Sequence, residues 1–298
     1  MILVKRIDLH IHTNISADGT YSPAEIIEIA KSQNMDMIAI ADHNSVRAVK
    51  QAVEMGKEKG IRVIGAIEID CVFESVNFHL TGYGIDVSDE RYQQLETFYH
   101  DQNVKITWEG TRSFLKAMQL DINDDVLRSL TVQDMIVPED LAEYLLSHSE
   151  YDHLSWLDPY RPGGSRCSNP NLNFYWDYFS QGKIGYVKDE KKSAEDMIDL
   201  IHQTKGKAFV AHPVANFKGK DDVLIRLLQK VDGLEVYSTY HTLDEVEKYR
   251  AVADSMHLLK SAGSDFHGHH KPAIHLGVIP GLNEKTSEEI LKWIEELS

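Results

Sequence analysis

Residues 7–12 read IDLHIH, and the reading of this stretch decides the fold. Apolar and polar side chains alternate, the pattern of a β-strand with two unlike faces. Ile7, Leu9 and Ile11 make an ordinary apolar face. Asp8, His10 and His12 make the other, although such side chains are costly to bury. A strand that puts two imidazoles and a carboxylate two residues apart on one face asks for a reason, and the rest of the chain supplies one.

Downstream, short apolar strands alternate with amphipathic helices. SPAEIIEIAKSQN (22–34) reads as a helix with Ser22 as N-cap and Pro23 at its first position. DMIAIAD, RVIGAIEID and FHLTGYGID read as strands, with a helix over SVRAVKQAVEMGKEKG ending at Gly60. The rhythm returns after residue 185 with a helix over AEDMIDLIHQTKG and the strand KAFVAHP. The helix KDDVLIRLLQKV, the strand GLEVYS, the helix TLDEVEKYRAVADSM, the strand LLKSAGSDFHG and a closing helix over SEEILKWIEELS follow. Strand–helix alternation of this spacing predicts βα units around a parallel sheet or barrel. Residues 88–185 break the rhythm. Two long stretches, 89–118 and 131–148, look helical, with Pro138 marking a break or a start, and LDPYRPGGSRCSNPNLN reads as loop. The predicted organisation is a barrel from residues 1–87 and 186–298, with a mostly helical insertion over 88–185.

Nearly every predicted strand of the alternating part delivers a His or a carboxylate near its C-terminal end: His10 and His12 with Asp18 just beyond, His43, Glu68, His79, His212, then Asp265 and His267. In a βα barrel those ends converge on one face, where active sites sit. One histidine in a strand is ordinarily just a hydrogen-bonded core or surface residue, and HxH alone only places two side chains on one strand face. Repetition at the same end of successive strands is what unrelated histidines have no reason to show. Six imidazoles and three carboxylates suit Zn, Mn or Fe. Nine donors exceed the about four to six that one ion takes, so two or three divalent ions are expected, with Glu68 free to bridge. Asp8 and Asp42 are expected to orient ligands from behind. His241, after the strand GLEVYS, is a candidate to reach substrate.

The 298 residues carry 42% hydrophobic side chains, enough for a full core, and a net charge of −16. That charge argues against a broad basic face for long nucleic acid. No apolar run approaches the roughly 20 residues of a membrane span. The opening MILVKRIDLH lacks the apolar core of a signal peptide, and two cysteines, Cys71 and Cys167, make no disulfide framework, so the cytoplasm is the expected compartment. The sequence implies no oligomeric state.

DLHIHTNISADGTYSP, IADHNS, GAIEID, HLTGYGID, FVAHP and GSDFHG together resemble the signature of the PHP (polymerase and histidinol phosphatase) family, and most closely its stand-alone metal-dependent phosphoesterases. The resemblance spans residues 7–86 and 207–268. It implies a distorted seven-stranded (βα) TIM-like barrel with a trinuclear site. By analogy His10, His12, Glu68 and Asp265 hold one metal, Asp18, His43 and His267 a second, and Glu68, His79 and His212 the third. An Asp at position 18 is usual in the nucleotide-phosphatase branch. Catalysis is expected to rest on Glu68, Asp265 and His267, with hydroxide from a metal-bridging water attacking phosphorus in line with the leaving alkoxide. The expected substrate is a small phosphomonoester: a 5′-nucleotide, a nucleoside bisphosphate or a short oligonucleotide 5′ end. The alternatives are a histidinol-phosphate phosphatase, another hydrolase using the same metals, or a non-catalytic module, which would be expected to have lost ligands. Relatives often carry an Arg–His pair early in the insert to hold phosphate. Here VPEDLAEYLLSH has no arginine, which leaves Arg161, Arg166 and Lys188 as candidate phosphate contacts and Trp156 or Trp176 as candidate stacking partners for a base.

Overall fold

The computed structural model describes residues 6–297. Residues 1–5, half of the stretch read for a leader, and residue 298, the last of the expected closing helix, lie outside it. Contacts divide the chain into two units, residues 1–96 with 191–298, and residues 97–190.

The first unit is a nearly closed barrel of seven strands in consecutive order. They are β1 (Ile7–Ile11), β2 (Met37–Ile40), β3 (Arg62–Phe73), β4 (Val76–Tyr83), β5 (Lys207–Val210), β6 (Gly233–Ser238) and β7 (Leu259–Gly263). A two-residue piece, Lys192–Ser193, pairs alongside β3. Every residue of β1, β2 and β6 is buried, as expected when helices cover one face and a packed barrel the other. Ile11, Ile38 and Ile40 pack outward against Ile26, Ile27 and Ala30 of the helix Pro23–Ser32. Asp8, His10 and His12 face the axis and are also buried. That helix starts where expected, on a capping box: Ser22 accepts from the Glu25 N–H, and Glu25 reaches back to Ser22. The helix Val49–Lys59 ends on Gly60, whose φ of 73° suits glycine.

Two sequence expectations change here. The sheet is not all parallel: β4 runs antiparallel to both β3 and β5. The cause is the two-residue turn Glu74–Ser75, with φ of 44° and 67°. Two residues can reverse a chain, but a parallel return needs a long crossover. His79 therefore meets the rim from the middle of its strand, not from its C-terminal end. The barrel also closes narrowly. β7 and β1 are joined by a single bridge, Ile11 to Phe266. The Asp265 N–H donates to the His10 carbonyl at 2.9 Å and the His12 N–H to the Phe266 carbonyl at 3.0 Å. Asp8 pins this seam, accepting from the backbone N–H of Ser264 (2.9 Å) and Gly277 (2.7 Å). Gly263 is required there: a Cβ at this position would lie 2.1 Å from the Cβ of His10 and 2.5 Å from Glu235 Oε1.

The second unit is mostly helical around its own core, in which Phe114 meets Phe174, Tyr178 and Trp156. Trp156 is therefore a packing residue, while Trp176 is 54% exposed. The helix expected over 131–148 starts only at Pro138. Residues before it form a small ribbon, Thr131–Val132 against Met135–Ile136, turning through Gln133 and Asp134 at positive φ. The stretch expected to be loop, 157–173, is regular at both ends, overlapping a 3₁₀ helix over Ser155–Tyr160 and a helix over Pro170–Tyr178.

Candidate metal centre

All nine donors expected from the sequence gather in the barrel unit. Their ligand atoms fall into overlapping groups lying within 4.8 Å of one another: His12, Asp18, His43 and His267; His10, His12, Glu68 and Asp265; Glu68, His79 and His212. Two further groups bring in carboxylates the sequence reading passed over, Asp70 with His43 and His79, and Glu235 with His10 and His212.

Glu68 is the hub. It is fully buried, and five imidazoles crowd its two oxygens. Oε2 lies 3.2 Å from His10 Nε2, 3.1 Å from His12 Nε2 and 3.2 Å from His43 Nδ1. Oε1 lies 2.9 Å from His79 Nδ1 and 3.0 Å from His212 Nε2. Asp265 Oδ1 sits 3.1 Å from His12 Nε2 and 3.4 Å from His10 Nε2, and Asp18 Oδ2 sits 3.1 Å from His267 Nε2. Yet His10, His12 and His267 Nε2, His43 and His79 Nδ1, and Glu68 Oε2 are buried without a hydrogen bond of acceptable geometry. Atoms bound about 2.1 Å from one ion lie about 3.0–3.4 Å from each other in octahedral or tetrahedral arrangements. The orphaned atoms and their spacing both fit divalent cations.

The surroundings aim the imidazoles inward. Glu235 Oε1 accepts from His10 Nδ1 at 3.1 Å, which leaves the Nε2 lone pair for the centre. Its other oxygen accepts from the His212 N–H at 2.7 Å. Asp42 organises the loop after β1, accepting from the Thr13 N–H and hydroxyl, both at 2.7 Å, and from the Ser16 hydroxyl at 2.8 Å. Ser16 Oγ in turn accepts from His12 Nδ1 (3.2 Å) and the His43 N–H (3.0 Å). His267 Nδ1 donates to the Asp265 carbonyl at 2.8 Å. Asp265 itself adopts φ of 57° and Asn44 φ of 55°, non-glycine strain of the kind that clusters at functional sites. Asp8 touches the His10 backbone N–H at 3.3 Å but no imidazole; burial raises its pKa to about 6.

Charge is arranged for a cation as well. Burial opposes protonation of His10, but Glu68 and Glu235 hold its pKa well above the usual value. For His12 burial again opposes, and contacts with Asp265 and Glu68 win, raising it to about 9. Burial penalises the carboxylates of Glu68 and Asp265, yet the surrounding imidazoles keep both well below the ordinary range. In the metal-free protein, protons on His10 and His12 stand where positive charge is needed. His43, on the open side, is pushed down to about 4, mainly by burial.

The other expected site residues lie elsewhere. His241 is buried, bonds the Val236 carbonyl through Nδ1 at 2.8 Å and packs on Tyr249; it joins none of the donor groups. Its neighbour Tyr240 faces the centre instead, its ring 5.1 Å from that of His212. In the helical unit Arg161 bonds the Asp158 carboxylate and the carbonyls of Tyr151 and Asp152. Arg166 is paired with Asp177, and Lys188 is exposed. Among the described residues, the Lys and Arg side chains that touch the donor set are ones the sequence reading missed. Lys191 sits 2.8 Å from Asp70 Oδ2, and Lys271 sits 2.6 Å from Asp265 Oδ2.

A seven-stranded barrel that gathers imidazoles and carboxylates into groups able to hold divalent cations fits a metal-dependent hydrolase. The chain belongs to the PHP domain family, whose model matches residues 8–296. It is 26% identical over 269 residues to a 5′-3′ exoribonuclease of Haemophilus influenzae, covering 89% of this chain and 91% of that one. It is 25% identical over 270 residues to a 3′,5′-nucleoside bisphosphate phosphatase of Chromobacterium violaceum, covering 88% and 87%. Among solved structures it resembles an amidohydrolase from Chromobacterium violaceum with bound sulfate and no metal, at a TM-score of 0.76 and 24% identity over 98% of this chain and 96% of that one. No helix among the described residues is long and apolar enough to cross a membrane.

Proposed function

We propose that this protein is a metal-dependent phosphoesterase that hydrolyses a small nucleotide-type phosphomonoester, a nucleoside phosphate or bisphosphate or the 5′ end of a short oligonucleotide. The observation that carries this reading is Glu68, a buried carboxylate ringed by five imidazoles, four of which (His10, His12, His43 and His79) turn toward it a nitrogen without a hydrogen-bond partner. Three donor groups, two of them sharing Glu68, support two or three ions drawn from Zn, Mn or Fe. Held there, such ions supply Lewis acidity to activate water and to neutralise phosphoryl oxygens.

The chain's residues do the rest. Glu235 and Asp42 fix tautomers, directly and through Ser16, so that His10 and His12 present bare Nε2 atoms. Glu68 and Asp265 stay ionised at neutral pH and set the charge of the pocket. Asp18, half exposed, and the partly exposed His43 and His79 form its open side, where a compact anion enters. In hydrolysis a water oxygen joins phosphorus, the ester P–O bond breaks, and the leaving oxygen takes up a proton. The bisphosphate phosphatase and exoribonuclease relatives support a nucleotide-type substrate, and the net charge of −16 supports a short one. Cys71 and Cys167 are both free thiols, which supports a reducing compartment such as the cytoplasm.

The test is metal analysis of the purified protein together with phosphate release from nucleoside 5′-monophosphates, 3′,5′-bisphosphates, a 5′-phosphorylated short oligoribonucleotide and histidinol phosphate. Nucleotide-type esters should be cleaved, and Glu68→Ala or chelation should abolish turnover while the protein stays folded. Full turnover by chelated protein, or preference for histidinol phosphate, would sink the reading.

A further inference from the structure

Asp265 divides its carboxylate between two worlds. Oδ1 faces His10 and His12, while Oδ2 receives two donors from the mouth of the site. The Tyr240 hydroxyl donates to it at 2.6 Å, and the Lys271 ammonium donates to it at 2.6 Å. Lys271 also donates to the Tyr240 oxygen at 2.8 Å, closing a triangle. Two of the three ammonium N–H groups are thereby used and one remains. The Lys271 side chain is 31% exposed, and the Tyr240 ring lies between it and His212, with Nζ 5.5 Å from the ring centroid. Lys191, the other cation on the donor set, is less exposed and bonded to Asp70, at the His43–His79 edge. Arg161 and Arg166 are committed to bonds within their own unit.

We propose that Lys271, held in place by Tyr240, grips the phosphoryl oxygens of the substrate. The proposal deepens the phosphoesterase reading and rests on it. A phosphate dianion entering a pocket of carboxylates needs positive charge besides the ions, and an ammonium with a spare donor, anchored to a central donor, supplies it without a conformational search. Tyr240 is the positioning residue: its hydroxyl holds both the ammonium and Asp265.

A purely structural pin for Asp265 predicts different behaviour, and three variants separate the two. Lys271→Gln keeps hydrogen-bond donors for Asp265 and Tyr240 but removes the charge. Lys271→Met removes both, and Lys271→Arg keeps the charge. Each is loaded with saturating metal, its metal content is measured, and orthophosphate binding is followed by calorimetry beside KM and kcat. The Gln and Met variants should bind orthophosphate roughly tenfold or more weakly at unchanged metal content, as expected for loss of a charged hydrogen bond, with the Arg variant close to wild type. Tyr240→Phe should weaken metal retention and phosphate binding together. Wild-type phosphate affinity in Lys271→Gln, or a loss that merely tracks lost metal, overturns the proposal. If metal-loaded wild type neither binds orthophosphate nor cleaves any phosphoester, the parent reading has failed, and this one with it.

Discussion

Replacing Glu235 by Gln should cripple metal binding by removing the acceptor that backs His10. Both of its oxygens accept from N–H groups, one from His10 Nδ1 at 3.1 Å and the other from the His212 backbone at 2.7 Å. A glutamine offers one acceptor and one donor, so a donor must face a donor. If the amide NH₂ turns to His10, that ring must carry its proton on Nε2, where the lone pair is needed. If it turns to His212, a buried backbone N–H loses its partner, at a cost of about 1–3 kcal/mol. Loss of such an outer-shell partner typically costs about 10–100-fold in metal affinity, or about 1.4–2.7 kcal/mol. The change is isosteric, so packing contributes little. Competition titration against a chromogenic chelator reads the affinity directly, with circular dichroism to confirm folding. Wild-type affinity in the folded Gln variant would refute the assignment of Glu235 as the group that fixes the His10 tautomer.

Two other predictions follow from the same seam and donor set. Gly263→Ala should displace His10 or Glu235, since the new Cβ would lie 2.1 Å from the His10 Cβ; a destabilisation of about 1–3 kcal/mol with loss of bound metal is expected in thermal melts and metal analysis, and a normal metal complement would contradict it. The metal-free protein should lose stability as pH rises from about 6.5 to about 9. His12 has its pKa raised from 6.5 to about 9, so its ion-pair contribution is full below 6.5 and gone above about 9, at most about 3 kcal/mol; melts of chelated protein at pH 6, 7.5 and 9 should fall in that order, and a flat profile would count against protonated imidazoles holding the empty site.

Much of this centre was legible because its donor residues follow strand ends. A histidine at the close of an apolar run is visible against that run, as with VAHP or SDFH. Asp70 and Glu235 were harder to see. Glu235 lies inside the apolar strand GLEVYS, with no neighbouring motif to mark its 0% exposure. Asp70 repeats the facing of Glu68 two residues on, a signal available in EID that the reading did not use. The antiparallel β4 was hidden for a local reason. A two-residue hairpin is recognised by Asn-Gly or Asp-Gly, and Glu74–Ser75 adopts the same positive φ without either. Lys271 was invisible because a lysine six residues past a ligand is ordinarily a solvated cation, and only the tertiary fold brings Tyr240 beside it.

The position of the donors relative to the barrel seam ties fold and chemistry together. β1 and β7 share one bridge and a few backbone bonds, so this joint of the sheet is only lightly zipped. It is also where the donors concentrate: His10 and His12 stand on one side, Asp265 and His267 on the other. With Glu68 and Asp265 ionised amid imidazoles, protons on His10 and His12 help to hold the metal-free centre, and their hold weakens as pH rises through the His12 pKa. An ion bound there joins donors from both sides and adds its binding free energy to that of the folded state. The expected difference between chelated and metal-loaded melts is therefore largest at alkaline pH. If the two curves instead ran parallel across that range, the protons of His10 and His12 would not be occupying the place of the metal.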